Sequence, residues 1–180
     1  MAIPSESSYG LAVDPGNRAG VEAVYRLKRR DAGKPLLVVG ADADQLTGWI
    51  DTDSPALAAL RGLWPAPLTA ILPLRPDGPP PPASAGGSTL AVRVPAHDRL
   101  RALLQELGSA VTATSANLAG EAPVLDPSEL PKLLAGERAM IVDDGVLPGG
   151  PPSTLVLADD DQLRVLRQGA FPADALPALR

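Results

Sequence analysis

The chain has 180 residues, 21 of them acidic against 16 basic, for a formal net charge of −5, with no cysteine and one histidine, His97. This balance argues against a general binder of nucleic-acid backbones, which needs a broad basic surface. The inventory also excludes disulfides, thiolate nucleophiles, zinc–thiolate centres and any site built from two histidines. Hydrophobic residues make up 45% and aromatics 3%, so a core of Leu, Val, Ile and Ala is expected within a single domain spanning 1–180.

In chain order, "PSESSYG" (4–10) predicts a turn presenting Ser5 and Ser7 beside Tyr9. "NRAGVEAVYRLKRR" (17–30) places Val21, Val24, Tyr25 and Leu27 on one helical face, with Asn17 as cap and cations at the far end. "PLLVV" (35–39) reads as a buried strand, and "DADQLTGWI" (42–50) and "SPALAALRGLW" (54–64) as helices, the second opening on Ser54 and Pro55. "LTAILPL" (68–74) and "TLAVRVP" (89–95) read as strands. The intervening "RPDGPPPPASAGGS" is the most disorder-prone stretch. "HDRLRALLQELG" (97–108) predicts an amphipathic helix leading into the apolar run that opens "VTATSANLAGEAP" (111–123). "DPSELPKLLAG" (126–136) predicts a helix capped by Asp126; "AMIVDDG" (139–145), "STLVLA" (153–158) and "QLRVLRQG" (162–169) predict strands. Helices and strands interleave, which implies an α/β fold around a largely buried sheet of mixed direction. No apolar run approaches the roughly 20 residues of a membrane span, and the N-terminus lacks an export signal. A soluble, cytoplasmic chain with no membrane partner is expected.

Several segments carry candidate chemistry. Arg26, Lys28, Arg29, Arg30 and Lys34 fall within nine residues. Mobile ammonium groups and planar guanidinium forks suit phosphate oxygens, and cations also suit a solvated helix C-terminus; both readings are open. "GKP" at 33–35 is not a P-loop, because Pro35 stands where Ser or Thr is needed. Ser115 and Asn117 lie two apart and share a face in extended backbone, or simply belong to a turn. Arg93 sits inside an apolar strand, where burial without a partner costs several kcal/mol, so alternation is expected to turn it outward. His97 reads as a capping or surface histidine. No metal-ligand spacing, nucleophile elbow or dinucleotide glycine pattern is present, and no protein metal site is expected.

Six segments together resemble one family in order and approximate spacing. "PSESSYGLAVDP" resembles the "PTETVYGLG" opening of the YrdC-like threonylcarbamoyl-adenylate synthases, and "LKRRDAGKPLLV" their Lys-x-Arg element followed by a Pro-Leu strand. "WPAPLTAILP" is similar to their "WPGPLT" turn, "TLAVRVPAH" to their Arg-Val-Pro strand, and "ATSANLAGEAP" to their Ser-Ala-Asn loop. "STLVLADDDQLRVLRQGA" is similar to their closing strands, so the likeness runs from about residue 4 to 170.

The resemblance implies a twisted mixed sheet with flanking helices forming a concave, positively lined cavity. It implies that L-threonine, bicarbonate or CO2, and ATP are joined into threonylcarbamoyl-AMP with release of pyrophosphate. Separate transfer proteins would then use that product to modify adenosine 37 of tRNA. Catalysis would fall to Lys28 and Arg30, nucleotide binding to Lys28, Arg30, Ser115, Asn117, Ser153 and Arg167, and threonine binding to Ser5, Tyr9, Thr69 and Thr114. Mg²⁺ would be bound mainly through the triphosphate. Lys28, at a helix end, is expected to be dispensable for folding, and Asn117 to set affinity for ATP. Two rivals stand beside this reading: a paralogue making another carbamoyl-adenylate, and a non-catalytic RNA- or ribosome-binding module. The second is disfavoured by the net charge and by a total of two Trp, two Tyr and one Phe, leaving weak RNA contact as an expectation.

Two departures from the family pattern shape the expectations. Members carry about twenty residues before the "PTET" element, which here begins at residue 4, so an exposed sheet edge prone to self-association is expected. Serines replace its threonines, which keeps the hydroxyls and loses methyl contacts. The larger relatives add a C-terminal domain, and within these 180 residues no such second domain is expected.

Overall fold

The computed structural model describes residues 1–159 and 162–178. It contains two sheets. The smaller holds β1 (Ala2–Pro4), β2 (Tyr9–Leu11) and β7 (Thr114–Ser115) in the order β1-β2-β7, all antiparallel. The larger holds β3 (Val38–Val39), β4 (Leu68–Pro73), β5 (Thr89–Arg93), β6 (Val111–Thr112), β8 (Thr154–Asp159) and β9 (Gln162–Arg167). Its order is β6-β3-β5-β4-β8-β9, with β3–β5 and β4–β8 parallel and the other pairs antiparallel. The mixed α/β class expected from the interleaved pattern is the class observed.

Helices α1 (Arg18–Lys28), α2 (Pro55–Arg61), α3 (Asp98–Leu107) and the short α4 (Leu130–Leu133) flank these sheets. The apolar stripe of α1 buries Val21, Val24 and Tyr25 in a core shared with Leu57 and Leu60 of α2 and Leu68, Leu72 and Val92 of the large sheet. Leu100 and Leu104 of α3 form a second cluster with Ile3, Ala12, Val39 and Val111. Two caps are legible: the Asn17 side chain accepts from the Gly20 amide, and His97 accepts from the Leu100 amide at the start of α3, whereas Ser54 precedes α2 without a side-chain capping bond.

Several expected elements differ. Within 42–50 only Asp44–Leu46 is helical, as one 3-10 turn, because Leu46 alone of that turn is buried and Thr47 returns its hydroxyl to the Asp44 carbonyl. The helix at 126–136 breaks into a 3-10 turn, Pro127–Glu129, and α4; Pro131 lacks the amide that a continuous ladder needs. Residues 139–145 form no strand but a single parallel bridge between Ile141 and Ala2. The proline-rich stretch is pinned: Pro82–Ser84 form a 3-10 turn, Ala83 and Ser84 are fully buried, and the Leu36 amide donates to the Ala83 carbonyl at 2.9 Å. The outer side of β1 is covered, with the Ala2 amide donating to the Met140 carbonyl (2.8 Å) and the Val142 amide to the Ala2 carbonyl (2.9 Å). The bare edge expected there is therefore occupied. The apolar run at 111–115 is two strands in two sheets, since Ala113 leaves both ladders and its amide donates to the Leu37 carbonyl at 2.8 Å.

Candidate active site

That change of sheet at Ala113 places one cavity where the two sheets meet. The cavity measures about 340 Å³, within the range of small-molecule sites. Its walls come from the 5–10 hairpin, the Arg30–Leu37 connection, β4 and β5, the Ala113–Ser115 switch, and the Pro152–Leu155 segment with Arg167. Among the described residues, three cations, Arg30, Arg93 and Arg167, line it, and no carboxylate does. An acidic protein thus carries a locally positive pocket, as field focusing in a cleft allows.

Among the residues anticipated for this site, Ser5, Tyr9, Arg30, Thr69, Thr114, Ser115, Ser153 and Arg167 line the cavity. The Thr69 and Ser153 hydroxyls lie 2.7 Å apart, joining β4 to the start of β8, and Arg167 Nη2 donates to the Ser153 carbonyl at 2.9 Å. Ser5 Oγ donates to the Ser8 carbonyl at 2.7 Å, which closes the hairpin turn. Arg30 Nη2 donates to the Pro35 carbonyl at 3.0 Å, and its Nε is buried without a partner. Gly169 permits this wall: a Cβ there would stand 2.1 Å from the Pro152 carbonyl oxygen and 2.5 Å from the Ser153 carbonyl carbon.

Lys28 and Asn117 do not line the cavity. Lys28 is 2% exposed, so the expectation that it lies outside the core is corrected. Its ammonium donates to the Ser115 carbonyl, to Asn117 O at 3.1 Å and to Asn117 Oδ1 at 2.6 Å. Ser115 Oγ also donates to Asn117 Oδ1 (2.8 Å), and Asn117 Nδ2 donates to the Glu121 carbonyl (2.6 Å). The Lys28 ammonium therefore organises the 115–121 loop from within. Burial first, and then the Arg30 charge, push its pKa down to about 8.

Tyr9 is fully buried and its hydroxyl is spent elsewhere: it donates to the Gly145 carbonyl at 2.8 Å and accepts from the Asp144 amide at 2.9 Å. Burial raises the phenol above its ordinary value. Arg93, expected to face solvent, is 8% exposed and lines the cavity. Glu6 Oε2 lies 3.4 Å from its Nη2, Glu6 Oε1 accepts from the Ala96 amide at 2.8 Å, and Arg93 Nε is buried without a partner. Burial lowers the Arg93 pKa, Glu6 opposes that, and Arg167 adds to it. An interior guanidinium with one loose partner is a ready anion receptor. Its sequence signal was a charge amid apolar neighbours; Glu6, 87 positions away in the chain, is what makes burial tolerable.

A family model for Sua5, YciO and YrdC proteins, described as "Telomere recombination", matches residues 1–169. The chain belongs to the Sua5/YciO/YrdC family. It is 38% identical over 149 residues to the threonylcarbamoyl-AMP synthase of Alkalilimnicola ehrlichii, covering 83% of this chain and 76% of that protein. Among solved structures, Pyrococcus abyssi Sua5 complexed with L-threonine superposes with a TM-score of 0.85 at 28% identity, covering 96% of this chain and 51% of that one. The chain thus spans about half the length of that Sua5 protein. Escherichia coli YciO superposes with a TM-score of 0.83 at 25% identity, covering 98% of this chain and 85% of the other.

Proposed function

We propose that this Sua5/YciO/YrdC protein is a threonylcarbamoyl-AMP synthase, joining L-threonine, bicarbonate or CO2, and ATP with release of pyrophosphate. The observation that carries the reading is the convergence of Arg30, Arg93 and Arg167 on one cavity whose lining, among the described residues, holds hydroxyls and no carboxylate. All three substrates present or acquire anionic oxygens, and such a lining suits them. The relative from Alkalilimnicola ehrlichii carries this activity in its name, and the Pyrococcus abyssi protein holds L-threonine.

The chemistry needs no protein nucleophile. The threonine amine adds to CO2 and loses a proton, giving a carbamate. A carbamate oxygen attacks the α-phosphorus, and the bond to the bridging oxygen of the β-phosphate breaks, so that pyrophosphate leaves. Catalysis then consists of alignment and of stabilising charge on the phosphates. Arg30 and Arg167 act on the phosphates, and Ser115 supplies a small hydroxyl where the backbone approaches the nucleotide. Lys28 and Asn117 act on the nucleotide through the loop they hold. Arg93 receives a carboxylate-like anion, with Ser5, Thr69, Thr114 and Ser153 around the amino acid, and Tyr9 supports that wall. Mg²⁺ would be held mainly by the triphosphate oxygens and would supply charge neutralisation there. The product then passes to transfer proteins that modify adenosine 37 of tRNA in the cytoplasm. No helix among the described residues is long and apolar enough to cross a membrane.

The deciding experiment is pyrophosphate release from ATP and bicarbonate, compared with L-threonine, L-serine and no amino acid. Threonine-dependent release is expected, with serine slower because a methyl contact is worth only about 1–3 kcal/mol. ATP binding without threonine-dependent release would overturn the reading.

A further inference from the structure

Outside the cavity, the segment 140–149 makes contacts that the proposed reaction does not use. It is stitched to the N-terminal hairpin at Ala2 and again where the Gly149 amide donates to the Ser7 carbonyl at 2.9 Å. Between these points the Tyr9 hydroxyl is gripped by the Asp144 amide and the Gly145 carbonyl. The Asp144 carboxylate, 14% exposed, is held from the other side. Its Oδ2 lies 3.2 Å from His97 Nε2, and its Oδ1 pairs with Arg99. His97 Nδ1 meanwhile accepts from the Leu100 amide at 3.2 Å, which assigns the ring proton to Nε2. The only histidine of the chain thus joins the start of α3 to Asp144, and Asp144 joins α3 to Tyr9.

We propose that Asp144 is a positioning residue for the reaction: held by His97 and Arg99, it fixes the Asp144–Gly145 backbone that clamps Tyr9, and through Tyr9 the 5–10 wall facing the amino-acid substrate. The proposal rests on the reading of the cavity as a threonylcarbamoyl-AMP synthase site. Tyr9 is 136 positions from Gly145, so no local turn restores the clamp once it is broken. Gly145 has φ +72° and its amide is tied to Asp143 Oδ1 at 2.9 Å, which sets the carbonyl that Tyr9 uses. The wall it supports carries Ser5, Ser7 and Ser8, all in the cavity lining.

The test uses the full chain with Asp144→Ala, Asp144→Asn, Tyr9→Phe and the Tyr9→Phe/Asp144→Ala double variant. Amide hydrogen exchange is read by mass spectrometry, and steady-state kinetics alongside it. In Asp144→Ala, amides of 5–10 are expected to exchange about tenfold faster while those of α1 and β4 do not change. KM for L-threonine is expected to rise about tenfold with KM for ATP held within about twofold, and Asp144→Asn to fall between wild type and Asp144→Ala. Because both residues act through one clamp, the double variant should be no worse than the more damaged single variant. The lone imidazole gives a further signature: its Nε2–H, which faces Asp144 in wild type, should exchange with solvent faster in Asp144→Ala while the Nε2–H form itself, set by the Leu100 amide, is retained. Unchanged exchange over 5–10 overturns the proposal, as do additive effects in the double variant or equal rises in both KM values. If Asp144→Ala fails to fold, Tyr9→Phe, which removes one oxygen, decides by the same readouts. Wild-type enzyme without threonine-dependent turnover overturns the activity instead, and the exchange data still decide whether Asp144 holds the wall.

Discussion

At the scale of single residues, burial assigns roles that residue type leaves open. Lys28 and Arg30 are two positions apart, yet Arg30 lines the cavity while Lys28 lies behind it, with an ammonium bound to three oxygens of the 115–117 loop. The Lys28 pKa falls from 10.5 to about 8 on folding. Between those values the unfolded chain holds a proton that the folded chain has released, so this group favours folding increasingly as pH rises through that window. The stability difference between wild type and Lys28→Met should therefore shift in favour of wild type by about 2 kcal/mol from pH 7 to pH 9.5. Urea denaturation of both proteins at the two pH values checks this, and a pH-independent difference would refute it. Arg93→Ala should lower kcat/KM about 100-fold, the scale seen when one preorganised donor is removed. It should also lower Tm, because Glu6 loses its cation; a Tm change with unaltered kinetics would confine Arg93 to structure.

At the scale of elements, the short strands matter more than the long ones. β6 and β7 have two residues each and lie in different sheets, and the kink between them brings Ser115 and Thr114 into the cavity wall. Glycine at 169 lets the chain after β9 pass against Pro152 and Ser153. Gly169→Ala would force backbone apart at 2.1 Å, and backbone cannot yield as a side-chain tip does. A stability loss of about 2–4 kcal/mol is expected. Because Ser153 shares hydroxyls with Thr69 and accepts from Arg167, weaker substrate binding should accompany it. Thermal denaturation and the threonine KM of the variant measure both effects. The element-level signals in the sequence were clearest where one local rule suffices. Asn17 and His97 cap α1 and α3, and the apolar stripe of α1 is the one its spacing dictates. They were weakest where pairing is distant, as at 139–145, whose apolar alternation forms only a bridge to Ala2.

At the scale of the whole molecule, function depends on two sheets meeting. Ligand that bridges their walls should stabilise the fold by mass action: ATP at 100 times its Kd adds about 2.7 kcal/mol, and L-threonine bound to the same folded chain adds its own increment. Thermal shift with each ligand alone and with both checks this, and no shift with saturating ATP would contradict the assignment of the cavity. The sequence by itself determined the α/β class, the caps of α1 and α3, most strand positions and, through its six concordant segments, the family. Those features depend on local propensity, on periodicity and on residue order, all of which a linear chain displays. It also marked Ser5, Thr69, Ser115, Ser153 and Arg167, which the folded chain brings into one cavity. Only the tertiary structure decided that Lys28 is buried, that Arg93 turns inward against Glu6, and that the Tyr9 hydroxyl belongs to Asp144 and Gly145. Those outcomes turn on desolvation and on partners 87 to 136 positions away in the chain, separations at which no local pattern carries information.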